Sequence, residues 1–284
     1  MASASTSAPD FELITATRYD PALLLPAQWN TTANEGQPSP FMLLRYHHAR
    51  LADGARVHGE PWANIATALA DPSSDLGWPV FERRFQAAVA AHNNGGPLKV
   101  RATLSHTGDL GITLAPAAPL SADPTLASTI TRDTSILPPG LPALLPVRLD
   151  VLPTPATEFT RTKTTKREQY ADARERAGLP PFGGDADVLL FSDGGRVSET
   201  SIRNVAFFRG GQWATPGPAS GCLEGVMRRW LLEQGRIILD EQVVGGSQRA
   251  RKAGITKDSV KAGEMVLLFN GVEGCRLGTI ELIK

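Results

Sequence analysis

The sequence predicts a mixed α/β fold in two domains. Short apolar runs form hairpin-like pairs, and amphipathic segments that end at Gly lie between them without a regular βαβ array. A stretch rich in Pro, Ala and Ser over residues 115–145 indicates a linker. We therefore predict a disordered lead at 1–10, a small N-terminal α/β domain at 11–120, an interdomain linker at 121–140 and a larger C-terminal domain at 141–284.

The N-terminal elements follow from local periodicity. Residues 11–20 are rich in β-branched side chains and predict a strand, while residues 41–59 begin as a short strand and continue as a helix. Residues 80–96 place apolar side chains four apart before the breaker NNGG, which is typical of a helix and its end. Residues 98–105 alternate apolar and polar side chains, as a half-buried strand does, and residues 108–116 form the next predicted strand.

The C-terminal half alternates between predicted strands and shorter helices. Helices are predicted at 166–178 and 225–235, each ended by a Gly, and a short helix precedes the last predicted strand within 255–270. The other predicted strands are 147–153, 188–191, 204–208, 212–216 and 236–244.

Composition excludes several classes of protein. The 284 residues include 29 Lys and Arg and 29 Asp and Glu, so no net charge recruits nucleic acid or an anionic membrane. Cys222 and Cys275 are the two cysteines, which argues against a zinc site and favours a reducing compartment, with a disulfide between them as the alternative. The N-terminus lacks the features of a signal or transit peptide, and no apolar run approaches the roughly 20 residues that span a bilayer. We expect a cytoplasmic protein without a metal.

Common catalytic signatures are missing from the sequence. It contains no GxSxG elbow, HExxH motif or Walker loop, and no GxGxxG follows a predicted strand. His47 and His48 are adjacent, which is poor spacing for two metal ligands on one helix face. We predict that they lie at a partly exposed helix start.

Four other features suit one kind of site. Glu199 follows the turn SDGG where the chain re-enters a core, and a buried carboxylate there requires a partner. Lys163 precedes a helix, and GCLEGVMRRW places a Gly directly before a helix N-terminus, whose free N–H groups suit a phosphate. Arg50, in HHARL, adds a guanidinium group that can donate two hydrogen bonds to the same phosphate. An amine, an acid and a phosphate cradle are what pyridoxal phosphate requires, although the spacing alone leaves this as a hypothesis.

The order of these motifs resembles the class IV, or fold-type IV, pyridoxal-phosphate enzymes. That group includes branched-chain and D-amino-acid aminotransferases, (R)-selective amine transaminases and 4-amino-4-deoxychorismate lyase. The resemblance runs from about Phe11 to the C-terminus and is strongest over 161–230. It implies two α/β domains with the active site between them and at a dimer interface, so we expect a homodimer that acts on a small-molecule amine and binds neither nucleic acid nor membrane.

The resemblance also implies roles for individual residues. HHARL is similar to the family's H-x-x-R-L, which makes Arg50 a ligand of the cofactor phosphate. TKTTKREQYADAR is similar to the segment of the Schiff-base lysine, so Lys163 is expected to be catalytic and to hold the cofactor. GRVSETSIRNVAFF is similar to G-x-V-T-E-x-x-x-x-N-x-F, which pairs Glu199 with the pyridine nitrogen and adds Asn204.

The phosphate cradle shows departures from the family pattern. TPGPASGCLEGVMRR resembles the segment whose backbone amides hold the phosphate, here those of Val226 and Met227, and Gly271 lies in a late turn nearby. Met227 and Gly271 stand where the family often has hydroxyl side chains, so Arg50 and the amides must anchor more of the phosphate. Glu168 stands where branched-chain aminotransferases have a Tyr, and Tyr170 receives no role.

Lys99 and Arg101 are the predicted substrate-binding residues. Both lie on the polar face of the strand at 98–105, where solvent exposure explains them equally well. LKV resembles the lyase segment in which a lysine meets the substrate. The strands that precede Phe-Glu in the family are also trimmed here, and the Tyr of branched-chain aminotransferases is missing. Together with Lys99, these differences favour a lyase that converts 4-amino-4-deoxychorismate into 4-aminobenzoate and pyruvate. A class IV aminotransferase using the same site and a non-catalytic pyridoxal-phosphate-binding protein are the alternatives.

Overall fold

Within residues 9–25, 28–92, 95–131, 137–243 and 254–282, which it describes, the computed structural model contains two β-sheets of different size. The strands are β1 Leu13–Tyr19, β2 Leu98–Leu104, β3 Leu110–Pro116, β4 Leu145–Leu149, β5 Asp187–Phe191, β6 Val197–Thr200, β7 Asn204–Arg209, β8 Gln212–Thr215, β9 Ile238–Leu239, β10 Met265–Asn270 and β11 Gly274–Glu281. The α-helices are α1 Gln28–Ala33, α2 Leu44–Val57, α3 Ala63–Ala70, α4 Trp78–His92, α5 Glu158–Arg161, α6 Glu168–Arg176 and α7 Val226–Glu233. None of the described helices has the length and apolar character needed to cross a membrane.

The smaller sheet carries the alternation that the sequence predicts. Strands β1, β2 and β3 lie in that order and are antiparallel. The apolar side chains of β2 are buried, whereas Lys99 and Arg101 are exposed on its other face. Helices α2, α3 and α4 supply the rest of this core, in which Phe81 and Phe85 are fully buried.

The larger sheet is mixed and has an apolar cluster on each face. Its strand order is β6-β5-β4-β11-β10-β7-β8-β9. β4 is parallel to both β5 and β11, β9 is parallel to β8, and the remaining pairs are antiparallel. Along β10, Leu267 and Phe269 join the cluster that includes Trp230 of α7, while Val266 and Leu268 join the other. Successive residues of a strand point to opposite faces, so the sheet is covered on both sides.

The N-terminal segment also packs against the larger sheet. Leu23, Trp29 and Met42 belong to the same apolar cluster as Trp230 of α7. An isolated bridge joins Leu13, at the start of β1, to Thr164. These contacts place β1 and the start of α2 beside the C-terminal elements, where the candidate site lies.

One predicted strand is wrong over most of its length. The sequence predicts a strand at 236–244, but β9 has two residues and a 3-10 turn follows over Asp240–Gln242. The Asp240 carboxylate accepts hydrogen bonds from the amides of Gly217 at 3.0 Å and Ile255 at 2.8 Å. These side-chain bonds to distant backbone compete with the ladder and end the strand.

The predicted lead and linker are partly outside the described residues, which omit 1–8 and 132–136. Before that second gap, the chain forms a 3-10 turn over Leu126–Thr129. Ala127 and Ile130 are buried in the cluster on the larger sheet, and the Ile130 carbonyl accepts a 2.7 Å hydrogen bond from Trp213 Nε1. This part of the predicted linker is therefore packed, and the domain limits at 120 and 141 stay a prediction.

Candidate active site

Lys163 lies in the connection between α5 and α6, where β1 fixes the backbone. The Ile14 amide donates to the Lys163 carbonyl at 2.8 Å, and the Thr165 amide donates to the Glu12 carbonyl at 2.9 Å. Among the described residues, no hydrogen-bond acceptor and no carboxylate within 4.0 Å meets the Lys163 amine. The backbone is held on both sides of the residue while its Nζ stays free to react.

The surroundings of Lys163 favour its neutral amine. Burial lowers the pKa of Lys163 well below its usual 10.5, and the positive charges of Arg167, Arg50 and Lys99 lower it further. Glu199 opposes the shift but does not outweigh it. A neutral amine is the form that attacks an aldehyde and accepts a proton, so the shift suits both kinds of chemistry.

Glu199, in β6, is a buried carboxylate whose partners are neutral. Only 4% of the residue is exposed. Tyr170 Oη donates to Glu199 Oε1 at 2.7 Å, and Asn204 Nδ2 donates to Oε2 at 3.3 Å. Desolvation by burial raises the pKa of Glu199 to about 7, although the Tyr170 hydrogen bond and the charges of Arg167 and Lys163 oppose the rise. Such a carboxylate favours a cationic partner, and a protonated ring nitrogen would provide one.

This pKa predicts how Glu199 affects the stability of the cofactor-free protein. Between pH 4.5 and about 7 the folded state keeps a proton that the unfolded state releases, so rising pH lowers the free energy of unfolding. Above pH 7 the residue is ionised in both states, and the loss of stability caused by Glu199 has reached its full size. Glu199→Gln is therefore expected to stabilise the cofactor-free protein by up to about 3 kcal/mol at pH 8 and by less than about 1 kcal/mol at pH 5.

Urea unfolding of cofactor-free wild type and Glu199→Gln at both pH values measures this difference. Glu175→Gln, on the exposed face of α6, is the matched control and should change little at either pH. A Glu199→Gln variant that is less stable than wild type at pH 8 would contradict the prediction that the buried charge destabilises the folded protein.

Asn204 links the acid to the start of α7. Its Nδ2 donates both to Glu199 and, at 2.8 Å, to the Leu223 carbonyl. A Cβ at Gly225 would collide with Asn204 Oδ1, so glycine is required at this close approach. The pairing of Asn204 with Gly225 therefore sets the position of the α7 N-terminus relative to Glu199.

A buried charge network supports the turn between Glu199 and Asn204. Asp187, which is 0% exposed, accepts hydrogen bonds from Arg203 Nη1 at 2.7 Å, from Thr200 Oγ1 at 2.8 Å and from Ser201 Oγ at 2.5 Å. Arg203 also makes a bidentate pair with Glu273 at 2.7 and 2.8 Å. The network fixes both ends of the segment that presents the acid.

The N-terminus of α7 offers backbone donors. Val226 and Met227 are its first residues and are buried, and Gly225 provides no side-chain cap. The first amides of a helix have no intrahelical acceptor and carry the positive end of the helix dipole. This end of the helix can therefore bind an anion.

Arg50 faces the same region from α2. Its Nη2 donates to Thr15 Oγ1 at 2.5 Å, and its buried Nε has no hydrogen-bond partner among the residues that the structure describes. Arg50 and Val226 both line a cavity of about 440 Å³ that also includes Thr162 and Cys222. Burial and the charge of Arg167 lower the pKa of Arg50 to about 9, so an anion in this cavity would relieve an unfavourable concentration of positive charge.

His47 is the residue for which sequence analysis is most clearly wrong. It is fully buried, not partly exposed, and its neighbour His48 is also buried with Nε2 2.9 Å from the Leu76 carbonyl. The His47 ring packs against Gly271, where an added Cβ would lie 2.6 Å from His47 Cε1. Because Gly271 is 224 positions away along the chain, local sequence offers no sign of this contact.

Lys99 and Arg101 lie two residues apart on the exposed face of β2. The positive charge of Lys99 makes a small contribution to the lowered pKa of Lys163. Arg101 lies two residues along the same exposed face, opposite Ala16 of β1 and Thr113 of β3. Lys99 is thus linked electrostatically to the candidate site, and the role of Arg101 stays a prediction.

Three residues that shape the site carry no role predicted from the sequence. Tyr170 bonds directly to Glu199, Arg167 lies with its guanidinium 4.0 Å from the centre of the Tyr170 ring, and Thr15 joins Arg50 to His47. Tyr170 and Arg167 follow Lys163 within one helical segment, and that proximity is the available sequence signal. Among the described residues, no group of three or more His, Cys, Asp or Glu is placed to hold a metal.

The donor set fits pyridoxal phosphate. The free Lys163 amine suits an aldehyde, Glu199 suits a protonated ring nitrogen, and Arg50 with the uncapped start of α7 suits a phosphate. Fold and site together define a fold-type IV, pyridoxal-phosphate-dependent enzyme. The family model for amino-transferase class IV matches residues 31–246, and the chain belongs to that family.

Curated relatives and a solved structure agree with this assignment. A Schizosaccharomyces pombe protein, named provisionally as an aminodeoxychorismate lyase, is 29% identical over 242 residues, which are 85% of this chain and 84% of that protein. An aminodeoxychorismate lyase of Saccharomyces cerevisiae is 33% identical over 208 residues, but these cover 64% of this chain and 51% of the relative. The structure of a Mesorhizobium loti protein, named provisionally as an amino-acid aminotransferase, is 24% identical, covers 96% of this chain and all of its own, and has a TM-score of 0.57.

Proposed function

We propose that this protein is a lyase that converts 4-amino-4-deoxychorismate into 4-aminobenzoate and pyruvate. The observation that supports this reaction is the similarity to two relatives whose names carry it, one of them matched over 84% of its length. The geometry supports the class of chemistry, because an amine with a lowered pKa and no hydrogen-bond partner among the described residues lies with a buried acid and an anion site.

Each part of the cofactor has a proposed ligand in the chain. Lys163 would hold the aldehyde carbon through a Schiff base, and Glu199, supported by Tyr170 and Asn204, would hold the ring nitrogen. Arg50 and the first amides of α7 would hold the phosphate. When bound, pyridoxal phosphate supplies a carbonyl for the substrate amine and a ring that withdraws electrons.

Lys163 is the proposed acid and base. Once the substrate amine has displaced Nζ from the aldehyde carbon, the lowered pKa leaves Nζ able to accept the proton from the substrate carbon that bears nitrogen. Nζ then returns a proton to the methylene carbon of the enolpyruvyl group as the bond between its oxygen and the ring breaks. The products are pyruvate and an aromatic 4-aminobenzoate, which balances the reaction without an oxidant.

The positive charges around Lys163 suit a substrate with carboxylates. Arg167 and Lys99 both contribute to the electrostatic environment of the amine. We propose that Lys99 contacts a substrate carboxylate and that Arg101, further along the exposed face of β2, contributes to the same basic surface. The proposal includes a homodimer, with the site completed at its interface, and a cytoplasmic location, which the free thiols of Cys222 and Cys275 support.

A class IV aminotransferase is the second candidate, because the family that matches the chain carries that name. It would use Lys163 and Glu199 in the same way, but the amino group would stay with the cofactor and pass to a keto acid or ketone. A protein that binds the cofactor without turnover is the third candidate. The intact amine, acid and anion site argue against it.

One experiment distinguishes these candidates. Enzyme loaded with pyridoxal phosphate is mixed with 4-amino-4-deoxychorismate and no keto acid, and pyruvate and cofactor absorbance are followed together. We expect many equivalents of pyruvate per enzyme and no lasting loss of the aldehyde absorbance. If candidate amines aminate the cofactor stoichiometrically and 4-amino-4-deoxychorismate releases no pyruvate, the lyase is rejected in favour of the aminotransferase. If no amine changes the cofactor absorbance or releases pyruvate, the non-catalytic protein is the remaining candidate.

A further inference from the structure

His47 is a buried imidazole with one satisfied and one unsatisfied nitrogen. The residue is 0% exposed. Its Nδ1 lies 2.7 Å from Thr15 Oγ1, while Nε2 has no hydrogen-bond partner in the part of the chain that the structure describes. Buried polar atoms without partners are uncommon and costly in proteins, so this nitrogen is a candidate contact for a ligand.

The hydrogen bonds of Thr15 define which ring nitrogen carries the proton. The Thr15 hydroxyl accepts a hydrogen bond from Arg50 Nη2 at 2.5 Å. Among the described residues, His47 Nδ1 is the acceptor available to the single hydroxyl proton, since Thr15 Oγ1 has no other side-chain or carbonyl acceptor. Nδ1 therefore accepts and the neutral ring carries its proton on Nε2, which makes Nε2–H an unpaired donor.

The charges around the ring agree with this neutral form. Burial, followed by the positive charges of Arg50 and Lys163, lowers the pKa of His47 well below 6.5. The carbonyls of Met42 and Gly271 lie close enough to the ring to favour its protonated form, but neither has the geometry of a hydrogen bond with Nε2, and they do not outweigh the lowering effects. His47 is thus a neutral donor over the physiological pH range.

The unpaired donor lies beside the proposed phosphate site. A Cβ at Gly271 would be 2.7 Å from His47 Nε2 and 2.6 Å from Val226 Cγ2. The ring edge, the Gly271 backbone and the first residue of α7 therefore meet at one place. Glycine at 271 gives the imidazole room to face the start of α7.

We propose that His47 Nε2–H donates a hydrogen bond to the phosphate of pyridoxal phosphate, with Thr15 and Arg50 holding the ring in the required tautomer. This inference rests on the proposed cofactor site. Side-chain hydroxyls are missing at positions 227 and 271, and the imidazole supplies a third kind of donor beside the guanidinium and the helix amides. Thr15 acts through His47 and is a positioning residue.

Comparing pyridoxal phosphate with pyridoxal tests this contact. We expect His47→Ala to weaken binding of pyridoxal phosphate to cofactor-free protein by roughly ten- to a hundredfold, as for the loss of a hydrogen bond to a charged group. Binding of pyridoxal, which lacks the phosphate, should change by less than about twofold. His47→Gln keeps an N–H near the position of Nε2 and should recover part of the affinity, while exposed His92→Gln is the matched control.

A second measurement applies to the wild type and does not depend on a variant that folds. The ¹⁵N resonance of His47 Nε2 and the ³¹P resonance of the cofactor should both shift when pyridoxal phosphate binds, whereas pyridoxal should leave Nε2 unchanged. The inference would be overturned if His47→Ala lost affinity equally for both compounds. It would also be overturned if the Nε2 resonance did not shift on binding of pyridoxal phosphate. If the wild type binds no pyridoxal phosphate, the proposed function fails as well; if it binds and only these outcomes fail, His47 alone was wrongly assigned.

Discussion

Lys163→Ala is expected to lower kcat/KM by roughly 10³-fold or more, because it removes both the proposed covalent ligand of the cofactor and the proposed general base. The amine is distinguished by its lowered pKa and by the absence of a partner among the described residues. Steady-state rates of pyruvate release, measured with saturating pyridoxal phosphate, provide the comparison. The variant should fold normally, since the hydrogen bonds that fix this segment come from the backbone.

Lys166→Ala is the matched control for this prediction. Lys166 lies three residues from Lys163, but its amine pairs with Asp10 at 2.6 Å and approaches the rings of Phe11 and Phe159. Its replacement should change kcat/KM by less than about threefold, as expected for a partly exposed ion pair. If Lys166→Ala lost activity and Lys163→Ala kept it, the catalytic lysine would have been assigned to the wrong position.

Asp187→Ala is expected to have the largest effect on stability, about 3–5 kcal/mol lost from the free energy of unfolding. The substitution leaves Arg203 and Arg174, which are 6% and 1% exposed, without the carboxylate that both approach. It also leaves the Ser201 hydroxyl without its acceptor and removes one of the two acceptors of the Thr200 hydroxyl, which keeps the Arg203 carbonyl. Urea unfolding at neutral pH, followed by tryptophan fluorescence, measures the loss.

Two variants define what such a loss means. Asp187→Asn keeps an acceptor but removes the charge, so its free energy of unfolding should lie between those of wild type and Asp187→Ala. Glu281→Ala breaks the exposed pair with Arg148 and should cost less than about 1 kcal/mol. A loss for Asp187→Ala no larger than that for Glu281→Ala would show that the buried network contributes little to holding the turn that presents Glu199.

Local pattern was sufficient for most of the elements. The alternation at 98–105 predicted β2 and its buried face, and the Gly residues after α6 and α7 marked their ends. The strand order of the larger sheet was beyond such reasoning, because β4 pairs with β11 across more than 120 residues of chain. The failed strand at 236–244 has the same cause, since the Asp240 carboxylate bonds to backbone at Gly217 and Ile255.

In the candidate site, too, some residues have a local sequence signal and others depend on contacts between distant parts of the chain. Lys163, Glu199 and Arg50 could be proposed from the sequence because each lies in a motif with its own neighbours, and their roles stay predictions. His47 could not, since its burial depends on Thr15 and Gly271, which are far from it along the chain. Tyr170 was visible in the motif that follows Lys163, but its bond to Glu199 crosses 29 positions and required the fold. A sequence can therefore suggest which residues act, while their supporting contacts depend on long-range packing.

The most direct test of this account is reduction of the holoenzyme with sodium borohydride, followed by peptide mapping. Reduction fixes a Schiff base as a stable secondary amine, so the site of the cofactor label identifies the lysine that held it. We predict one labelled peptide, with pyridoxyl phosphate on Lys163. Label on another lysine, or protein that stays colourless and unlabelled after incubation with pyridoxal phosphate, would contradict the central claim.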